Sequence, residues 1–486
     1  MNTNVKKQNG VVFTPEWIAD FMVDEIFKNQ KISGKEKILD AGCGEGVFTI
    51  LAVQKFAKIS KKSIDKVIEE NIFFIDISES HLKKTKEKLQ KLCKQKIKKF
   101  NAICADFCFY NFENQFDFII GNPPYVRIQN LEDRRENLQK KFLSARSGSI
   151  DLYFCFFEHA LNCLKKTGEI SFITPNSHFY SQAGKKLREI LTSHITKIIN
   201  FDHHQVFENV TAYTAISFLQ KEKSETCKFA ENFKNDFKNL KFREIKTKNL
   251  HFGKWEFLDE KYFAEIQDLK RKHATLGEIA DIHYGIATLK DDVFIFTPDG
   301  EDEKYFFRKE FKIEKPLCAP IIKASTFKGK NQNLKIIFPY ENEKIIPEKI
   351  FRQKFPEAFK YFLANREILA NRDKGGGKNY EEFYAFGRNQ GLKTSFGEKI
   401  LTSTMNKVPR FFVTEEPHTS FFAGYCVKPK NGFNLYELCK ILNSEMMKNF
   451  IESVSKSYRG GYKSYAKSFL KDFVHPRFTR EQQMLF

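Results

Sequence analysis

No apolar segment opens this chain, and no apolar run is long enough to cross a bilayer. A secretory leader and a membrane span are therefore not expected, and a bacterial cytoplasm suits the composition. The 10 cysteines include no CxxC pair and no Cys/His cluster with ligand-like spacing. Reduced thiols are expected rather than a disulfide framework, and no metal site is expected. Cys104 and Cys108 lie in or beside a strand-like stretch, where small buried thiols are common. Internal repeats and long low-complexity tracts are also missing, which excludes a solenoid.

What is present is length and positive charge. A chain of 486 residues is too long for one ordinary core, so two domains are expected. The formal net charge is +20, which suits a polyanionic partner such as nucleic acid. An A/T-rich coding sequence would also enrich Lys and Phe, and there are 53 Phe. Charge alone does not choose between these readings.

The first part alternates strand-like and helix-like stretches. KILDAG (37–42), NIFFIDI (71–77), NAICAD (101–106), FDFIIGN (116–122), EISFITP (169–175), KIINFD (197–202) and AYTAISFLQK (212–221) read as strands. VFTILAVQKFAKI (47–59), HLKKTKEKLQKLCKQK (81–96), DLYFCFFEHALNCLKK (151–166) and LREILTSHI (187–195) read as helices. This predicts an α/β domain with a mostly parallel seven-stranded sheet covered on both faces. From KEKSETCKFAENFKNDFKNLK (221–241) the pattern breaks, with no clear strand. A boundary is placed there, giving domains 1–230 and 231–486. The second is expected to be mixed α+β, with loop-like glycine stretches at KGGGKNY (374–380) and YRGGYKSYAK (458–467).

Four motifs carry chemistry. LDAGCGEG (39–46) ends a strand at Asp40 and opens a helix through Gly42, Gly44 and Gly46, which lets backbone approach a ligand closely. Asp76 ends the second strand, where a carboxylate can accept from ribose hydroxyls. Asp106 and Phe107 end the third, where the Asp can accept from an adenine amino group and the Phe can pack on the ring. Any one Asp could instead cap a helix; three at successive strand ends make that a weaker explanation. In GNPPY (121–125), Pro123 and Pro124 end the strand and stiffen the exit, holding Asn122 and Tyr125 at its carboxyl edge. A rigid strand stop with a buried Tyr would read the same way in isolation.

In this order, LDAGCGEG, FIDIS, ADF and GNPPY resemble the S-adenosylmethionine-dependent methyltransferases with a Rossmann-like fold, and GNPPY fits the branch that methylates exocyclic amino groups. VVFTPEWIADFMV (11–23) resembles the N-terminal motif of the gamma-class adenine-N6 DNA methyltransferases of the TaqI-like, type II restriction–modification kind. SIDLYFCFFEHALNCLKKTGEISFITPNSHF (149–179) and HQVFENVTAYTAISFL (204–219) are similar to its later segments. The resemblance implies S-adenosylmethionine as cofactor. It places Phe13, Thr14, Pro15, Asp40, Gly42, Gly44, Asp76, Ile77, Asp106, Phe107 and Asn122 around that cofactor. It also implies that Asn122 Oδ1 and the Pro123 carbonyl accept the target amino hydrogens, with Pro124 completing the turn. Tyr125 would stack on a flipped base and Phe207 would pack on its other face. Transfer would be direct, without a covalent enzyme nucleophile. No Pro-Cys dipeptide occurs, which argues against enzymes that attack the cytosine ring.

The second half is similar to the target-recognition domains that follow such catalytic domains. TLGEIADIHYGIATLKDDVFIF (275–296), FYAFGRNQGL (383–392), PRFF (409–412), LNSEMM (442–447) and SYRGGYKSYAKSFLKDFVHP (457–476) carry this similarity. Arg388, Tyr458, Arg459, Tyr462 and Lys463 are candidates for contact with DNA, since they mix cations with aromatic rings. A structural Arg388 and a solvated loop at 458–463 remain open. The resemblance implies a monomer acting on double-stranded DNA, with any restriction endonuclease a separate chain. RNA and protein-glutamine methyltransferases sharing NPPY are the alternatives. A non-enzymatic DNA-binding subunit fits less well, because all the motifs are intact.

Overall fold

The structure, a computed structural model, describes residues 12–479 except 29, 147, 203, 208–211, 232, 234–235, 331, 373–379, 431–432 and 456. Val11 of the N-terminal motif, residues 208–211 of the segment after Phe207, and 374–379 of the KGGGKNY stretch lie outside the described residues. The chain divides into two compact units, Met1–Phe263 and Ala264–Phe486.

The first unit is built on nine strands: β1 (Ile38–Ala41), β2 (Ile72–Asp76), β3 (Asn101–Cys104), β4 (Phe116–Gly121), β5 (Leu164–Pro175), β6 (Ile195–Asn200), β7 (Thr214–Gln220), β8 (Thr226–Ala230) and β9 (Arg243–Lys246). They form one sheet in the order β3-β2-β1-β4-β5-β7-β6-β8-β9. From β3 to β5 every neighbour is parallel. β7 runs antiparallel between β5 and β6. All four residues of β1 are buried, as expected for a central strand covered on both faces. The helices Glu16–Phe27 and Val47–Ser60 pack on one face of the sheet. Tyr153–Cys163 packs on the other. At Gly121 a Cβ would stand 2.7 Å from the carbonyl oxygen of Ala41, so only glycine lets β4 lie this close to β1.

Two expectations are corrected. The sheet has nine strands, not seven, because β8 and β9 extend its far edge. β8 has an interrupted apolar pattern in a charged stretch, so its sequence reads as linker. The boundary also moves from 230/231 to 263/264. Residues beyond 230 complete the first core: Trp255 is fully buried, its ring 5.7 Å from that of Phe179, and its Nε1 donates to Thr192 Oγ1 at 3.1 Å. The buried guanidinium of Arg188 donates to the carbonyls of Phe252 at 2.8 Å and Gly253 at 2.5 Å.

Among its described residues the second unit is mixed α+β, with short strands and no long parallel run. One four-stranded antiparallel sheet orders Ala280–Tyr284, Gly424–Pro429, Lys399–Ser403 and Phe411–Thr414. A second sheet joins Ile295–Phe296, Leu334–Ile337, Cys318–Lys323 and Ser420–Phe422. Aromatic stacking holds its helical part, with Phe351 4.6 Å and Phe362 5.6 Å from Tyr384 between ring centroids. Among the described residues no helix is long and apolar enough to cross a membrane.

Candidate active site

A cavity of about 530 Å³ opens at the carboxyl ends of β1, β2 and β4 and beside the turn that follows β3. Parallel sheets present their ligand sites at this edge. The turn after β1 forms its floor. Gly42 and Gly44 take left-handed φ of 80° and 53°, and open space surrounds the position of a Gly44 Cβ. Asp76 and Asp106 stand on the wall with Phe13, Thr14, Ile77, Phe107 and Asn122.

Each acid accepts from an amide of its own turn and from a partner on another element. Asp76 Oδ2 accepts from the Gly44 amide at 2.9 Å, and Oδ1 accepts from the Ser78 amide at 2.8 Å. His81 Nδ1 lies 3.3 Å from the same Oδ1, and its ring meets Phe13 edge-on at 6.4 Å. Asp106 Oδ1 accepts from the Cys108 amide at 3.1 Å, and Oδ2 is ion-paired with Arg134. Phe107 is buried with its ring 4.9 Å from Phe156, which also lines the cavity. Ile77 is 58% exposed, an apolar side chain that the protein leaves open to water.

Asp40 is placed differently. It is buried and does not line the cavity. Its Oδ2 accepts from the Thr49 amide at 3.0 Å and hydroxyl at 2.6 Å, while Oδ1 has no partner. Burial is the main cause that raises its pKa to about 7, and the charge of Asp76 adds to the rise. Asp40 thus anchors the first turn of Val47–Ser60. Pro15 also stays off the cavity wall and precedes the helix Glu16–Phe27.

The GNPPY turn brings Asn122 and Pro124 to the wall, while Pro123 is buried behind it. Asn122 Nδ2 donates to the Val12 carbonyl at 2.9 Å and to Thr14 Oγ1 at 3.0 Å. A carbonyl can only accept, so the amide's NH₂ end must face it. Asn122 Oδ1 is left buried with no partner. Buried acceptors are normally satisfied, so an open one at a cavity wall points to a donor that arrives with a ligand. Tyr125 meets Phe207 edge-to-face at 6.2 Å, and its hydroxyl donates to the Ile173 carbonyl at 3.4 Å. Phe207 is only 3% exposed, so it offers little free face to a base. Cys43 lines the cavity, but burial pushes its thiol far above the usual range, so it is not a ready nucleophile.

Sequence reasoning missed Arg134, His81 and Phe156. Arg134 sits on the polar helix Glu132–Lys141, which carries no motif; only its place just after GNPPY hints at the pocket. In the second unit, Arg388 is exposed, and its amide donates to the Ala287 carbonyl at 3.1 Å. The YRGG stretch is a hairpin turn with Gly460 and Gly461 at φ of 81° and 80°, pairing Tyr458 with Tyr462. Tyr462 is 41% exposed beside Lys407, Arg459 is exposed, and Lys463 Nζ donates to Ser457 Oγ at 2.5 Å. Tyr465, the third ring of that stretch, is buried against Phe411.

Residues 35–207 match the family model of the Eco57I restriction-modification methylase. The match covers about a third of the chain, the part that carries β1 to β6 and most of the cavity. The chain is 26% identical over 394 residues to the type II restriction enzyme and methyltransferase RM.Eco57I of Escherichia coli, covering 72% of this chain and 39% of that one. It is 25% identical over 532 residues to the type II methyltransferase M.BstVI of Geobacillus stearothermophilus, covering 97% and 90%. The chain thus spans well under half of the first relative's length and most of the second's. Among solved structures it is similar in fold to the type IIL restriction-modification enzyme MmeI in complex with DNA, with a TM-score of 0.64, 13% identity, and 97% and 69% coverage. Methyl transfer is the chemistry of this family, and S-adenosylmethionine is the cofactor it uses. The cavity fits such a group: a glycine floor without side chains, carboxylates at two strand ends, apolar walls and an open acceptor.

Proposed function

We propose that this chain methylates the exocyclic N6 amino group of adenine in double-stranded DNA at a specific site, using S-adenosylmethionine. The base is turned out of the helix to reach the cavity. The observation that carries this reading is the buried, unpartnered Oδ1 of Asn122, whose amide nitrogen is already held by Val12 and Thr14.

Asn122 Oδ1 accepts one hydrogen of the target amino group, and the Pro123 carbonyl accepts the other. The two bonds turn the nitrogen lone pair out of conjugation and aim it along one line. The target nitrogen would take the methyl group of bound S-adenosylmethionine directly: the S–C bond breaks as the N–C bond forms, S-adenosylhomocysteine departs, and the amino group releases one proton to water. Positioning and fixed dipoles supply the acceleration. Tyr125 stacks on the base. Asp76 would take the ribose hydroxyls, Asp106 the adenine amino group of the cofactor, and Ile77 and Phe107 would pack on its ring, while Phe13 would close the methionine end. The second unit reads the DNA site, with Arg388, Tyr458, Arg459, Tyr462 and Lys463 as its candidate contacts. The chain acts as the modification partner of a separately encoded restriction endonuclease.

An open acceptor at a rigid turn would also suit a protein glutamine or an RNA base. The net charge of +20 favours a nucleic acid over a protein, and the similarity to type II methyltransferases favours DNA over RNA. The test is to incubate the protein with labelled S-adenosylmethionine and, separately, unmethylated duplex DNA, tRNA, rRNA and a peptide-release factor. Label is expected in DNA, and nucleoside digestion is expected to yield N6-methyladenine. Label confined to RNA or protein, or recovered as N4-methylcytosine, would overturn the reading.

A further inference from the structure

We infer that Thr14 is a positioning residue for Asn122, coupling the segment over the cofactor cavity to the acceptor that receives the target amino group. The inference rests on the reading of Asn122 given above. A planar amide has two N–H donors in a fixed fork. Here each has its own acceptor: the Val12 carbonyl at 2.9 Å and Thr14 Oγ1 at 3.0 Å. With both occupied, the amide cannot rotate about its last side-chain bond without breaking one of them. The direction of Oδ1 is therefore set by the segment Val12–Thr14, not by the GNPPY turn that carries Asn122.

That segment also shapes the cavity. Val12, Phe13 and Thr14 all line it, and the Phe13 ring meets His81 edge-on beside Asp76. Thr14 is only 8% exposed, so water competes weakly for its hydroxyl. The residues that would cover a bound cofactor and those that aim the acceptor are thus one stretch of chain. With Thr14 unable to accept, one N–H of Asn122 loses its partner and the amide can swing about the remaining bond.

Thr14→Val keeps the volume and branching but removes the acceptor; Thr14→Ser keeps the acceptor. The readouts are kcat and KM for S-adenosylmethionine on unmethylated duplex DNA, with equilibrium binding of S-adenosylhomocysteine as a check that the cavity is folded. Thr14→Val is expected to lower kcat about tenfold, with KM and S-adenosylhomocysteine binding within about threefold of the parent protein. Thr14→Ser is expected to restore kcat to within about threefold. A Thr14→Val protein with unchanged kcat, while Asn122→Ala is inactive, would overturn the inference and leave the role of Asn122 standing. A Thr14→Val protein whose loss lies wholly in cofactor KM and S-adenosylhomocysteine binding would overturn it too, since Thr14 would then be a cofactor contact. An Asn122→Ala protein that still methylates DNA at the parent rate would remove the reading on which the inference rests.

Discussion

Tyr125 and Phe207 meet edge-to-face, their ring centroids 6.2 Å apart and their planes 78° from parallel. Two rings that sandwich a base need parallel faces with a base-wide gap, and this pair has neither. Phe207 is 3% exposed and belongs to the core beneath Tyr125. The two should therefore fail differently. Phe207→Ala is expected to lose about 3–5 kcal/mol of stability, as for other buried Phe truncations, seen as a lower urea midpoint. Tyr125→Ala removes a stacking face worth about 1–3 kcal/mol, so transfer should fall roughly 5- to 150-fold. Tyr125→Phe should stay near the parent rate, because the hydroxyl makes only a long 3.4 Å bond. Phe207→Ala with full stability and a large rate loss would return Phe207 to the base site.

Arg134 stands on the cavity wall and forms an ion pair with Asp106, whose other oxygen accepts from the Cys108 amide. The pair fixes the carboxylate where it would take the cofactor's amino group. Arg134→Ala is expected to raise the KM for S-adenosylmethionine several-fold and leave kcat at saturating cofactor nearly unchanged. Arg134→Lys keeps the charge but loses the planar fork, so it should fall between the two. Isothermal titration with S-adenosylhomocysteine checks this directly; equal affinities in all three proteins would mean the ion pair does not help binding.

Much of this site was legible because it sits where sequence pattern is strongest. Parallel strands alternating with helices mark their own carboxyl ends, and Asp76, Asp106 and Asn122 all fall there. Asp40 falls at such an end too, yet its carboxylate turns to Thr49. Position along a strand does not say which neighbour a side chain faces. Arg134 lay on a helix without apolar periodicity, so nothing tied it to the cavity. β8 and the run to Phe263 were hidden for the opposite reason. Their apolar residues stand singly or in pairs among lysines and other polar residues with no sustained period, and only the fold gathers them around Trp255.

Asp40 predicts a pH dependence. Its pKa rises from an ordinary 3.8 to about 7, chiefly through burial. The folded state therefore holds a proton that the unfolded chain releases between those values. Stability from this group is full below about pH 4 and is lost as pH rises through about 7. Thermal melts should fall in midpoint from pH 5 to pH 8. Asp40→Asn keeps an acceptor for the Thr49 amide and no longer titrates, so its midpoint should change less over the same range. Glu169 is also raised to about 7 by burial, so some slope of the same sign should remain. An Asp40→Asn slope equal to or steeper than the parent's would mean that Asp40 is ionised in the fold.

The corrected boundary makes the last prediction. Arg188 is fully buried, and besides the Phe252 and Gly253 carbonyls it donates to those of His178 and Ser181. Cutting the chain after residue 230 removes two of these four acceptors, strips β9 from the sheet edge and uncovers the space filled by Trp255. A buried guanidinium left with open donors costs several kcal/mol, comparable to the whole stability of a domain. A chain ending at residue 230 is therefore expected to be insoluble or to melt without a cooperative transition. One ending at residue 263 should melt cooperatively and bind S-adenosylhomocysteine, because every residue lining the cavity lies within it. If the shorter chain bound this ligand as tightly as the longer one, residues 231–263 would be an accessory layer and not part of the core.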